Sequence, residues 1–485
     1  MTFIVNLFRS GWIYLTLFLV IALELYWLAI GHPARLFYIL FLEFTMAALL
    51  GWLYLRHKNI VSGYALPIYG LLFLHLFAYF NMSVPMSETA INMALPFFPM
   101  IIIYYLLNVR KKYIPGSGAL YLMLFGFLVS VMYQITVHRG QYVYSMENDI
   151  SFFLNILVFF ILYMLLALGI LSVRHMVLAL SFSVFPFLVF VIYGYIRYDA
   201  FNLLFTTRFG HYMDYSPNHI AVWLDLAFPP MLFFAINEKK RALKLLFSFM
   251  AIFYCIVLFL TSSRGSFPGL FFILLFLLIR SKSVKLWITV LAFSLVIAGF
   301  FGGPVMQRFF KPSRADVFSN MGRVELLKSA YPLFKSNHFF FGIGMDNFRT
   351  EKFKFGFPVG FDPGKFMSSH DIFLELLSGW GLMGLMGGLY FIFGSMIRLV
   401  RAKLPPDINY LRLSLAFSAL SFSLHAFSES AIAYFVFQMY LFSWFACISF
   451  LIRVSTLTPG SYRVSHSNIV IFKKPLNYKE YMPNV

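Results

Sequence analysis

Residues 243–265 read LKLLFSFMAIFYCIVLFLTSSRG, an apolar run closed by Thr261-Ser262-Ser263-Arg264-Gly265. At 1.5 Å per residue, a helix over Leu243 to Leu260 is about 27 Å long. A bilayer core about 30 Å thick asks for roughly 20 such residues. The run therefore predicts a membrane span that ends in a small polar turn carrying one arginine.

The rest of the chain repeats the pattern. Its 485 residues are 61% hydrophobic and 12% charged, with 63 Phe. Soluble proteins are about a quarter charged, so this composition is suited to lipid. About fourteen spans (12–14) are predicted, near 11–30, 36–55, 61–82, 90–108, 118–137, 151–172, 176–195, 218–236, 243–261, 266–280, 285–302, 371–397, 411–427 and 432–452. The fold class is an all-α integral membrane protein with one long loop between predicted helices 11 and 12. Cys255 and Cys447 both fall inside apolar runs, which argues against a disulfide framework. No soluble domain, internal repeat or cleaved signal peptide is evident.

The charge of +19 would suggest nucleic acid in a soluble protein. Here it follows topology instead, and no nucleic-acid partner is expected. One alternate set of short loops holds Arg56 with Lys58, Arg110-Lys111-Lys112, Lys239-Lys240-Arg241, Arg280 with Lys282, and Arg398 with Arg401. The positive-inside rule makes that side cytoplasmic, together with both termini and the basic tail from Arg453. The long loop, 303–370, then faces outward, yet it carries Arg308, Lys311, Arg314, Arg323, Lys328, Lys335, Arg349, Lys352, Lys354 and Lys365. Its positive excess points to an anionic ligand, although charge in long loops is also free to drift.

Four outward elements carry the functional groups. They are Arg208 with Pro217-Asn218-His219-Ile220-Ala221; Ser263-Arg264-Gly265; Gly322-Arg323-Val324-Glu325 with Gly342-Ile343-Gly344; and His370, which opens a span containing Gly379, Gly381 and Gly384. Guanidinium groups match phosphate oxygens bidentately and stay charged, so Arg208, Arg264 and Arg323 suit a pyrophosphate. A histidine at a span mouth can take a proton near neutral pH. Asn218, Ser263, Glu325 and Asp225 are candidate supporting groups, and Asp225 and Glu375 are ionisable residues inside spans. Each has a simpler reading: an arginine at a helix mouth anchors the helix by snorkelling, and glycines let helices approach closely. No metal-ligand spacing occurs.

Taken in order, Pro-Asn-x-x-Ala, Ser-Arg-Gly, Gly-Arg, Gly-x-Gly and the His-led span with Gly-x-Gly-Leu-x-Gly resemble the O-antigen ligase and Wzy polymerase superfamily, which includes the WaaL ligases. The resemblance covers roughly residues 200–400. It implies a GT-C-like glycosyltransferase of the bacterial inner membrane that works at the periplasmic face without metal or other cofactor. Its donor would be an undecaprenyl-pyrophosphate-linked glycan, and its acceptor lipid A core or a second lipid-linked glycan. By the same resemblance Arg208, Arg264 and Arg323 bind the pyrophosphate, and His370 is the general base of an inverting transfer.

Residues 1–200 would then be N-terminal spans, 201–400 the catalytic core with the periplasmic loop, 401–452 C-terminal spans and 453–485 a cytoplasmic tail. An O-antigen ligase is the expected activity. A Wzy-type polymerase and an O-linked protein oligosaccharyltransferase use the same donor chemistry. A polyprenyl-phosphate-sugar transferase would want acidic residues in the first outer loop, where Gly31 to Arg35 has none. A flippase would want charged residues along many spans.

Overall fold

The computed structural model describes residues 114–138, 143–169, 171–200, 203, 208–210, 216–281, 314–344, 347–348, 352–356, 358, 371–427, 435–457, 462–465 and 468–471. Its helices are α1 (Ser117–His138), α2 (Val143–Ala167), α3 (Val173–Arg197), α4 (Pro217–Asn237), α5 (Arg241–Thr261) and α6 (Phe267–Ser281), followed by α7 (Arg314–Phe334), α8 (His338–Phe341), α9 (Ile372–Arg401), α10 (Pro406–Ala426) and α11 (Phe435–Ser455). The spans predicted from 118–137 through 266–280, and from 371–397 through 432–452, coincide with α1–α6 and α9–α11. Those predicted at 11–30, 36–55, 61–82, 90–108 and 285–302 lie outside the described residues.

Within the described residues, 5 helices are long and apolar enough to cross a membrane: α3, α4, α5, α9 and the Phe437–Ser455 part of α11. Predicted spans 118–137, 151–172 and 266–280 hold shorter apolar helices, and 411–427 departs further. Ser414, Ser418, Ser421, Ser423 and His425 interrupt its apolar run, and all five are buried in the bundle, so α10 turns polar groups toward protein. Helix α4 lies at the centre, packed on α3, α5 and α10, while α1 packs along α9 and α2 along α11. The described residues bear out the all-helical class, with one short hairpin besides. In the tail, β1 (Tyr462–Ser465) pairs antiparallel with β2 (Asn468–Ile471).

Part of the predicted polar loop is helical. Leu326 and Ala330 of α7 bury against Ile343, Phe348 and Leu374, which fastens the loop to the start of α9. That start is set by Asp371, whose Oδ1 accepts hydrogen bonds from the N–H groups of Phe373 (2.7 Å) and Leu374 (3.0 Å). Burial raises the Asp371 carboxyl above the usual aspartate range, while the two N–H groups pull it down. Losing an N-cap of this type destabilises by about 1 kcal/mol. Asp371→Ala should therefore lower the thermal midpoint, and Asp371→Ser should restore most of it.

Deeper in α9 the helix breaks. Trp380 (φ −126°, ψ 19°) and Gly381 (φ 64°, ψ −160°) leave helical geometry, and the freed carbonyls are taken up by the loop. Ile343 N–H donates to Ser378 O at 2.6 Å and Gly344 N–H to Gly379 O at 2.9 Å. The Ser130 hydroxyl of α1 also donates to Gly379 O, at 2.9 Å. Irregular backbone within a membrane helix persists where protein groups satisfy it. Gly342, Ile343 and Gly344 are buried accordingly.

A candidate anion site at the Ser-Arg-Gly turn

Helix α5 ends because Ser262 takes a left-handed conformation (φ 49°, ψ 34°) and turns its N–H back to Phe259 O. A non-glycine residue in that region carries a penalty of about 1–2 kcal/mol, so the neighbouring contacts must hold the turn. They are present: Ser263 N–H reaches Thr261 Oγ1 at 3.3 Å, and Ser266 N–H reaches Ser263 O at 3.3 Å. Helix α6 begins at Phe267, one residue after this turn.

Arg208 docks on this turn. Its neighbour Phe209 donates N–H to Leu260 O at 3.0 Å, and Arg208 Nε donates to Thr261 O at 3.0 Å. The same guanidinium donates through Nη2 to Asn218 Oδ1 at 2.5 Å. Arg208 is thus docked on the turn that carries Arg264, beside the N-termini of α4 and α6. Helix N-termini present unsatisfied N–H groups and a positive dipole end. The ensemble is a concentration of positive charge suited to a phosphate-type anion.

Below it runs a buried polar chain. Asn218 and Asp225 are seven residues apart and so share a face of α4, about 10 Å along its axis. Ser263 Oγ lies 3.2 Å from Asn218 Oδ1 and 3.2 Å from His425 Nε2. His425 Nδ1 lies 2.6 Å from Asp225 Oδ2, which also accepts the Ser266 hydroxyl at 2.8 Å. Asp225 is 3% exposed and His425 1%. One carboxylate, one imidazole and two hydroxyls therefore face each other away from water.

The predicted site residues divide accordingly. Arg208, Asn218, Ser263 and Asp225 join in one continuous network, with Arg264 on the same turn. Arg323 and Glu325 sit elsewhere, on α7, which packs against α8 and the Lys352–Phe355 turn. Glu325 pairs with Lys328 at 2.6 Å on the helix surface, a contact type that contributes little. His370 lies outside the described residues. His425 was not among the predicted residues, although an ionisable side chain within predicted span 411–427 is the signal that singled out Asp225.

No curated protein matches the sequence. Residues 245–389, which run from α5 through the Ser-Arg-Gly turn and the α7–α8 segment into α9, match the family model Wzy_C, described as O-antigen ligase. With several helices apolar enough to span a bilayer, the protein is a multi-pass membrane protein whose general activity is of the O-antigen ligase or polymerase type. Residues 245–389 thus form a domain of the O-antigen ligase/Wzy type.

Proposed function

We propose that this protein is a glycosyltransferase that moves a glycan from undecaprenyl pyrophosphate to an acceptor hydroxyl at the periplasmic face of the inner membrane. The acceptor assigned is lipid A core, which makes it an O-antigen ligase. The observation that carries the reading is the docking of Arg208 onto the Ser-Arg-Gly turn, through Nε to Thr261 O at 3.0 Å. An arginine docked on a turn that carries a second one suits a pyrophosphate leaving group.

The chemistry balances without an added energy source. The acceptor oxygen attacks the anomeric carbon as the bond from that carbon to the pyrophosphate oxygen breaks. The bonding electrons leave on the pyrophosphate, where Arg208 and Arg264 stabilise the growing charge. Preorganised donors of this type are often the largest catalytic contribution. The acceptor proton passes to His370, and attack opposite the leaving group inverts the anomeric centre.

The test is reconstitution of purified protein with undecaprenyl-pyrophosphate-linked glycan, either with lipid A core or with donor alone. Glycan joined to lipid A core supports the ligase assignment. A ladder of lengthening lipid-linked glycan, made without lipid A core, would replace it with a polymerase. Donor that crosses a liposome bilayer unconsumed would overturn the transferase reading altogether.

A further inference from the structure

We propose that Asp225 and His425 form a positioning pair that acts through Ser263 and Asn218 to hold the Arg208 guanidinium for a diphosphate. The inference rests on the reading of Arg208 as a donor-binding group. Hydrogen-bond chemistry fixes the direction of the chain. Arginine has donors and no acceptor, so the Asn218 atom facing Arg208 Nη2 at 2.5 Å must be the carbonyl Oδ1. Ser263 Oγ, 3.2 Å from that same oxygen, must then donate its single proton to it. That proton is no longer available to His425, so Nε2 donates to Ser263 Oγ across 3.2 Å. The other ring nitrogen, Nδ1, faces Asp225 Oδ2 at 2.6 Å.

Every link then has a donor and an acceptor, with one proton shared between Nδ1 and Asp225 Oδ2. The pair is sealed from water, with both partners at most 3% exposed. A buried pair of ionisable groups is weak evidence of stability as such, because desolvation offsets its attraction. Ionisable residues within a membrane domain more often mark a working pathway. What this pair does geometrically is clear from its reach. It joins the middle of α4, the end of α10 and the Ser-Arg-Gly turn, and it terminates on the arginine that faces the proposed anion.

The positioning role separates from plain structural support in a double-mutant cycle. Affinity for undecaprenyl diphosphate would be measured on the full-length protein in nanodiscs for wild type, His425→Gln, Arg208→Ala and the double variant. A hydrogen bond to a charged group contributes about 1.5–3 kcal/mol, so His425→Gln should weaken binding about tenfold or more. In the Arg208→Ala background the same change should have almost no further effect, since nothing remains for it to position. Ser263→Ala, which cuts the chain but leaves the Asp225–His425 pair intact, should behave alike and carries the cycle should His425→Gln not fold.

Equal losses in both backgrounds, or unchanged affinity in the single variants, would overturn the inference. So would a wild type that does not bind the diphosphate. Turnover of the glycan-linked donor, measured in parallel, reports separately on the transferase reading. Non-additive binding with no turnover would keep the positioning pair and discard the transferase.

Discussion

Replacing His370 with alanine should slow glycan transfer about 10²–10⁴-fold, the usual contribution of a positioned general base. The loss should appear in kcat, with donor affinity nearly unchanged, because in the proposed mechanism the arginines rather than the imidazole hold the pyrophosphate. His370 directly precedes Asp371, and the helix-capping contacts belong to Asp371, through Phe373 N–H and Leu374 N–H. The capping carboxyl is therefore committed to the start of α9, which leaves the histidine as the titrating group at that mouth in the proposed mechanism. Thermal stability should change little in the variant. Single-turnover rates with saturating donor provide the check. Wild-type rates in His370→Ala would remove the residue from the mechanism and direct attention to another base.

The span pattern was readable in the sequence because lipid imposes one strong rule: long apolar runs become helices. Runs 176–195, 218–236 and 243–261 required nothing more, and their boundaries agree with α3, α4 and α5 to within a few residues. The polar turn at Ser263-Arg264-Gly265 was equally legible, since small and charged residues stand out after an apolar run. The partnership of Asp225 with His425 was not, because the two are 200 residues apart in sequence and nothing local to either one names the other. Helix α7 was hidden for a different reason. Its sequence is polar enough to read as loop, and among its described residues the buried apolar side chains are Leu326 and Ala330, against Ile343, Phe348 and Leu374. The hairpin at Tyr462–Ile471 falls in a stretch read only for its charge.

The largest structural loss should come from Gly381→Ala or Gly342→Ala, because these two glycines let the loop backbone lie directly against the break in α9. Gly342 (φ 73°, ψ 178°) and Gly381 (φ 64°, ψ −160°) both occupy a backbone region essentially closed to residues with a Cβ. Space is lacking as well. A Cβ on Gly381 would overlap the Phe340 carbonyl and come within 2.8 Å of Phe341 N, while one on Gly342 would overlap the Gly379 carbonyl and come within 2.7 Å of Trp380 N. Backbone cannot yield as a flexible side chain can. The conformational penalty is about 1–3 kcal/mol and overpacking adds about 1–3 kcal/mol, so each variant should lose roughly 3 kcal/mol or more. The same displacement would pull Ile343 and Gly344 away from the carbonyls of Ser378 and Gly379, leaving buried acceptors without those donors. Because Ile343 also buries against α7, the helix that carries Arg323 should loosen with it. Gly118→Ala is the internal control: nothing lies within 4 Å of its Cβ position in α1, and alanine in a helix is favoured over glycine by about 0.5–1 kcal/mol. Thermal midpoints in nanodiscs should fall sharply for Gly342→Ala and Gly381→Ala and hold or rise for Gly118→Ala. If Gly381→Ala melts with the wild type, the loop does not dock in the broken helix in this way.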